Sequence, residues 1–96
     1  MQLKILKRTP EELRIEVGGE GHTFCNLLES TLLENEGVEF AGYDIAHPLI
    51  SNPVVFIRTK NGKEPEEALK EAVEKILQRG RELSEAFNKA LEEWRK

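Results

Sequence analysis

Apolar and polar positions alternate with a period of two along the first part of the chain. Leu3 and Ile5 share one side of a first segment, and Leu13, Ile15 and Val17 alternate with Glu12, Arg14 and Glu16 in a second. That period belongs to strands with one buried face. Thr9-Pro10-Glu11-Glu12 between them predicts a type I turn, because proline pre-sets φ at the second turn position. The two segments therefore form a hairpin, and Gly18, Gly19 and Gly21 break the second strand. From Thr23 to about Glu36 the period becomes helical, with Thr23 expected as the N-cap and Gly37 as the left-handed residue that stops the helix. Its apolar set is Phe24, Cys25, Leu27, Leu28, Leu32 and Leu33. At about 100° per residue these cover more than half of the circumference, whereas a helix lying on a sheet needs one stripe.

Val38–Ile45 reads as a third strand, with Val38 and Phe40 in one phase and Ala41, Tyr43 and Ile45 in the other. The phase change, beside Gly42, predicts a bulge or a strand buried on both faces. His47-Pro48 and Asn52-Pro53 bracket a loop, since each proline pushes its predecessor out of the helical region. Val54–Ile57 is a short apolar fourth strand, ended by Asn61-Gly62. Pro65, followed by Glu66 and Glu67, opens a helix that no later proline interrupts. The expected fold class is α+β: one domain over residues 1–96, in the order β-β-α-β-β-α, with a four-stranded antiparallel sheet packed on two helices.

The last helix carries the main functional signal. Leu69, Val73, Ile76, Gly80, Leu83, Phe87, Ala90 and Trp94 recur at alternating spacings of four and three, an a/d heptad line. Nearly half of the segment is charged, yet no charged residue falls on that line. At 1.5 Å per residue, Leu69 to Trp94 spans roughly 37 Å. A four-stranded sheet is only about 15–20 Å across. Roughly half of the stripe overhangs its own sheet, and each large side chain left in water forgoes about 1.5–3 kcal/mol. A second chain is the expected cover. Gly80, on the same line, costs up to about 1 kcal/mol relative to alanine in a helix interior, and its position predicts either close approach by a neighbour or a kink or tolerated weakness in the helix.

Composition narrows the classes. Ninety-six residues hold one modest core, so surplus apolar surface goes to a partner. The net charge of −4 argues against a free-standing nucleic-acid binder, which shows a basic face. Cys25 is the only cysteine, so no intramolecular disulfide forms. One thiol in a highly charged chain fits a reducing cytoplasm. Met1–Arg8 does not read as a signal peptide, and no apolar run is long enough to span a membrane.

Candidate chemistry is sparse. His22 and Cys25, with Asp44 and His47, can be drawn as a zinc site. Cys25 sits in an apolar helix turn, however, where a free cysteine behaves as a small buried hydrophobe. Cys25 with a histidine as nucleophile and base would lack an orienting group and an oxyanion hole. Gly18-Gly19-Glu20-Gly21 precedes a helix, but Glu20 would repel a phosphate and no GK[ST] follows. No catalytic, metal or cofactor residue is assigned, and no small-molecule substrate is expected.

Two stretches carry a family likeness. Gly19-Glu20-Gly21-His22-Thr23-Phe24-Cys25-Asn26-Leu27-Leu28 resembles the alpha motif of DNA-directed RNA polymerase subunits. Val38-Glu39-Phe40-Ala41-Gly42-Tyr43-Asp44-Ile45-Ala46-His47-Pro48-Leu49 follows at the family's spacing. The chain is most similar to the small alpha-like subunits of archaeal polymerase, the L type, counterparts of the small eukaryotic alpha-like subunits and the bacterial alpha amino-terminal domain. The resemblance implies a non-catalytic subunit of a nucleotidyltransferase complex. It implies pairing with a larger alpha-like subunit, called D in archaea, as a heterodimeric platform for the catalytic subunits. DNA is then met only through the complex. The expected partner interface comprises Phe24, Leu27, Leu28 and Leu32 on the first helix, with Val73, Ile76, Gly80, Leu83, Phe87 and Trp94 on the last. Two other classes compete. A homodimeric enzyme on a similar ββαββα fold would need several converging histidines, and only two are present. A generic helical interaction module would explain the stripe but not the two motifs.

Overall fold

A computed structural model of the chain describes residues 1–46 and 51–95. Its elements are β1 (Gln2–Arg8), β2 (Glu12–Gly18), α1 (His22–Leu33), β3 (Val38–Asp44), β4 (Val54–Thr59) and α2 (Pro65–Trp94). The four strands form one antiparallel sheet in the order β1-β2-β4-β3, so the α+β arrangement read from the sequence is the one observed. The expected His47-Pro48 turn lies outside the described residues.

The expected hairpin forms, closing between Thr9 and Glu12. Thr9 N–H donates to the Glu12 carbonyl at 2.9 Å, and the Thr9 hydroxyl accepts from Glu12 N–H, also at 2.9 Å. Register then sorts the side chains. Ile15 and Val17 of β2, Val55 and Ile57 of β4, and Val38 and Ala41 of β3 are buried beneath the helices. Cys25, Leu28 and Leu32 of α1 and Ala68 and Ala72 of α2 complete the core. Small alanines let α2 lie close to the sheet. Both buried hydroxyls are satisfied locally: Thr31 donates to the Leu27 carbonyl and Thr59 to the Lys63 carbonyl.

Three boundaries differ from the sequence reading. Helix α1 begins at His22, because the carbonyl of extended Gly21 already accepts from Cys25 N–H at 3.2 Å. Thr23 is therefore inside the helix and caps nothing. The helix ends at Leu33 rather than at Gly37. Glu34 and Asn35 N–H donate to the Thr31 and Leu32 carbonyls, and the Asn35 side chain accepts from Gly37 N–H at 2.8 Å. That tight turn stops the helix before a left-handed glycine is needed. Gly37 serves close approach instead, since a Cβ there would lie 2.8 Å from Lys63 Cγ. In β3 the bulge falls at Glu39, not beside Gly42. It turns Val38 inward and Phe40 outward, although the two share a phase in the sequence.

Candidate partner interface

The helices do not cover the whole sheet. Helix α1 packs against β3 and α2, and α2 packs against β4 and β2, which leaves β1 uncovered at the edge. Leu3 is paired with Val17 and Ile5 with Ile15, so both point to the helix side. Their partners are buried, yet Leu3 and Ile5 are each 61% exposed. No β1 residue belongs to the core. The result is an apolar groove walled by Met1 and Leu3 on one side and Phe24, Leu69 and Val73 on the other, with Ile15, Val17, Leu28 and Val55 between them.

The second part of the surface is the far end of α2. Its fully buried residues, Pro65, Ala68 and Ala72, all lie in the first turns, and every residue from 77 to 90 is exposed. Leu83 is 72% exposed, Phe87 59% and Trp94 86%. These residues continue the line of Leu69 and Val73, so groove and arm form one apolar strip. Met1, Leu3, Ile5, Val73, Leu77, Leu83, Phe87 and Trp94 together expose roughly 900 Å². One side of a standard interface buries about 800 Å², and patches of this size on a monomer mark interaction sites.

Two ion-pair clusters link α2 to the end of α1 near the base of the arm. Glu34, just past the end of α1, receives Arg79 on both carboxylate oxygens at 2.9 and 2.5 Å, and Lys75 at 3.5 Å. The hydrogen bond from Arg79 is the main reason its pKa falls to about 2 from the ordinary 4.5, with the Arg79 and Lys75 charges adding to it and burial opposing. One turn nearer the sheet, Glu71 accepts from Lys63 at 2.7 Å and from Asn35 at 2.8 Å. The Lys63 contact is the largest cause of its lowered pKa. These clusters join the end of α1 to α2 where the exposed stretch begins.

The expected interface residues separate under this geometry. Phe24 and Val73 wall the groove, Leu27 is 47% exposed, and Leu83, Phe87 and Trp94 stand on the arm. Ile76 is half-buried against the core. Gly80 faces open space, because a Cβ there meets nothing within 4 Å. Leu28 and Leu32 require correction. Leu32 has no exposed surface and Leu28 only 4%, since both point into the sheet. They hold α1 in place and, apart from the groove floor at Leu28, offer nothing to a second chain. Met1, Leu3 and Ile5, exposed beside the groove, were not among the expected residues. Their alternation was visible, but nothing in the sequence told which strand the helices would leave bare.

Of the candidate chemical groups, His47 lies outside the described residues. His22 Nδ1 lies 2.9 Å from the Tyr43 hydroxyl, with the rings edge to face. Cys25 is 1% exposed, and burial, reinforced by the Glu20 charge, raises its thiol pKa. Among the described residues no three of His, Cys, Asp and Glu are grouped to hold a metal ion. Among them, too, no helix is long and apolar enough to cross a membrane.

Comparisons with known proteins identify the family. Residues 12–92 match the family described as the RNA polymerase Rpb3/Rpb11 dimerisation domain. The chain is 45% identical over 92 residues to DNA-directed RNA polymerase subunit Rpo11 of Methanococcoides burtonii, covering 96% of this chain and all of that protein. It is 44% identical over 94 residues to the subunit Rpo11 of Thermococcus kodakarensis, again covering 96% of this chain and all of the relative. Among solved structures, DNA-directed RNA polymerase subunit L of Thermoplasma acidophilum superposes with a TM-score of 0.86 at 27% identity. That match covers 97% of this chain and 91% of the other.

Proposed function

Because this chain belongs to the RNA polymerase Rpb3/Rpb11 dimerisation domain family, we propose that it is the small alpha-like subunit of a DNA-directed RNA polymerase. In this reading it pairs with the larger alpha-like subunit, D in archaea, and the pair forms the platform on which the catalytic subunits assemble. It works in the cytoplasm, without a cofactor, and meets DNA only through the complex. The observation that carries the proposal is the continuous helix-side strip from the β1 edge to Trp94, which the chain's own fold leaves uncovered.

The domain extends over residues 1–96. Strand β1 precedes the matched residues but is hydrogen-bonded into the same sheet. From Gly80 to Trp94 the arm reaches roughly 21 Å, about the width of a second four-stranded sheet at 4.8 Å per strand. A partner of the same architecture therefore has room to receive the arm on its own sheet and to fill the groove in return.

Co-expression with an affinity-tagged D-type subunit tests this. Equimolar co-purification is expected, and the free chain is expected to self-associate through the same strip until the partner is added. A free chain that sediments as a monomer at high concentration and ignores the partner refutes the proposal.

A further inference from the structure

The opposite face of the sheet also displays apolar side chains. Phe40 is 57% exposed and Leu6 48%, with Phe56 between them on β4 half-buried. Two register shifts put them there: one at Glu39 turns Phe40 out, and one between Ile5 and Lys7 releases Leu6. Bulges of this kind re-aim side chains. Gly42 makes room beside Phe40, whose ring lies 3.3 Å from where a Cβ would stand. Phe40 and Phe56, with Arg14 and Arg58, line an open cleft of about 400 Å³, large enough for one bulky side chain.

Charge defines the occupant. Arg14 stacks on Phe56 at 5.1 Å from the ring centre. Glu12 is already held by Lys7 and Arg58, whose hydrogen bonds lower its pKa to about 2. Among the described residues Arg14 has no carboxylate within ion-pair distance, so the uncompensated charge at the cleft is positive. A nucleic-acid strand fits poorly, because its run of phosphates would also meet Glu12, Glu16 and Asp44 along the face, whereas a single carboxylate needs only Arg14. A stacked arginine beside exposed aromatics is the composition of protein interface centres.

We propose that the outer sheet face is a second docking surface, on which another polymerase subunit seats a bulky apolar side chain in the Phe40–Phe56 cleft and a carboxylate on Arg14. The inference rests on the assembly role proposed above, and it makes the chain a bridge with one partner on each side of the sheet.

The test uses polymerase reconstituted with this chain carrying the photo-cross-linker benzoylphenylalanine at position 40 or, separately, at position 87. Position 87 is expected to reach the helix-side partner, and position 40 a different protein subunit. In parallel, Phe40→Ser and Arg14→Glu should leave pairing with the D-type subunit within twofold of wild type. They should lower incorporation of that pair into the enzyme by about tenfold or more. Circular dichroism checks that Phe40→Ser, the milder change, is folded. A silent position 40, a cross-link from it to nucleic acid or to the subunit reached from 87, or normal incorporation of both variants overturns the outer-face proposal alone. A chain that never enters the enzyme overturns the assembly role and this proposal together.

Discussion

Replacing Phe87 with aspartate separates the arm from the core. In the free chain Phe87 is 59% exposed and lies beyond the last buried residue of α2. The substitution therefore opens no cavity, and its cost to folding is helix propensity alone, roughly 0.5 kcal/mol. Pairing is different. A phenylalanine presents about 200 Å², so some 120 Å² of it remains available for burial. At about 25 cal/mol per Å² that contributes about 3 kcal/mol, more than a hundredfold in affinity. Aspartate adds the penalty of a charge desolvated without a partner, several kcal/mol more. Thermal unfolding of the free variant, followed by circular dichroism, should lie within a few degrees of wild type, while calorimetric titration with the D-type subunit should show no binding. Glu85→Lys, on the polar face of the same helix, should change neither. Outright unfolding of Phe87→Asp would place residue 87 in the domain's own core, and normal binding would place the interface elsewhere.

Other perturbations probe separate parts of the structure. Ile5→Asp should leave the free chain folded, because Ile5 is mostly exposed on an edge strand and lies outside the core cluster, yet weaken pairing at least tenfold in a pull-down titration. Gly80→Ala should raise the stability of the free chain by up to about 1 kcal/mol in urea, since a methyl there meets nothing, and lower affinity for a partner that packs closely at that point. Glu34 has a folded pKa of about 2, below its ordinary 4.5, so its contribution is complete above about pH 4.5 and is lost as pH falls toward 2. Acid unfolding of Glu34→Gln should accordingly show a shallower loss of stability across that window than wild type. Cys25 should react with a thiol reagent at least a hundredfold more slowly in buffer than in urea, because its thiol is enclosed and burial disfavours the thiolate.

The legible parts of the fold were those in which one period governed one face. The alternation of Leu13, Ile15 and Val17, the proline at Pro65 and the heptad line of α2 all predicted elements that the structure contains. Inversions came from single extra residues. Glu39 and Leu6 each shift a strand's register, and a shift of one residue exchanges the two faces. Phe40 was thus paired in phase with Val38 and lies on the other side. Coverage was the other hidden quantity. Leu32 and Leu83 are the same residue type on apolar helical stripes, yet one is fully enclosed and the other 72% exposed. Only the placement of α1 over β3, and of the first turns of α2 over β4 and β2, distinguishes them.

The Glu34–Arg79 contact acquires a mechanical meaning from its position. Beyond Arg79 the helix runs about 22 Å to Trp94, exposed from Gly80 to Ala90, so a change of angle at the Glu34–Arg79 contact would be amplified at the tip. A tilt of about 10° there would sweep the indole of Trp94 through roughly 4 Å, close to the width of a side-chain slot on a facing helix surface. The aim of the tip thus depends on residues outside the apolar strip itself. A residue exchange at Glu34, Lys75 or Arg79 would re-aim the tip while leaving its chemistry intact, and a subunit could drift toward a new mate through its hinge before its contact surface changed at all.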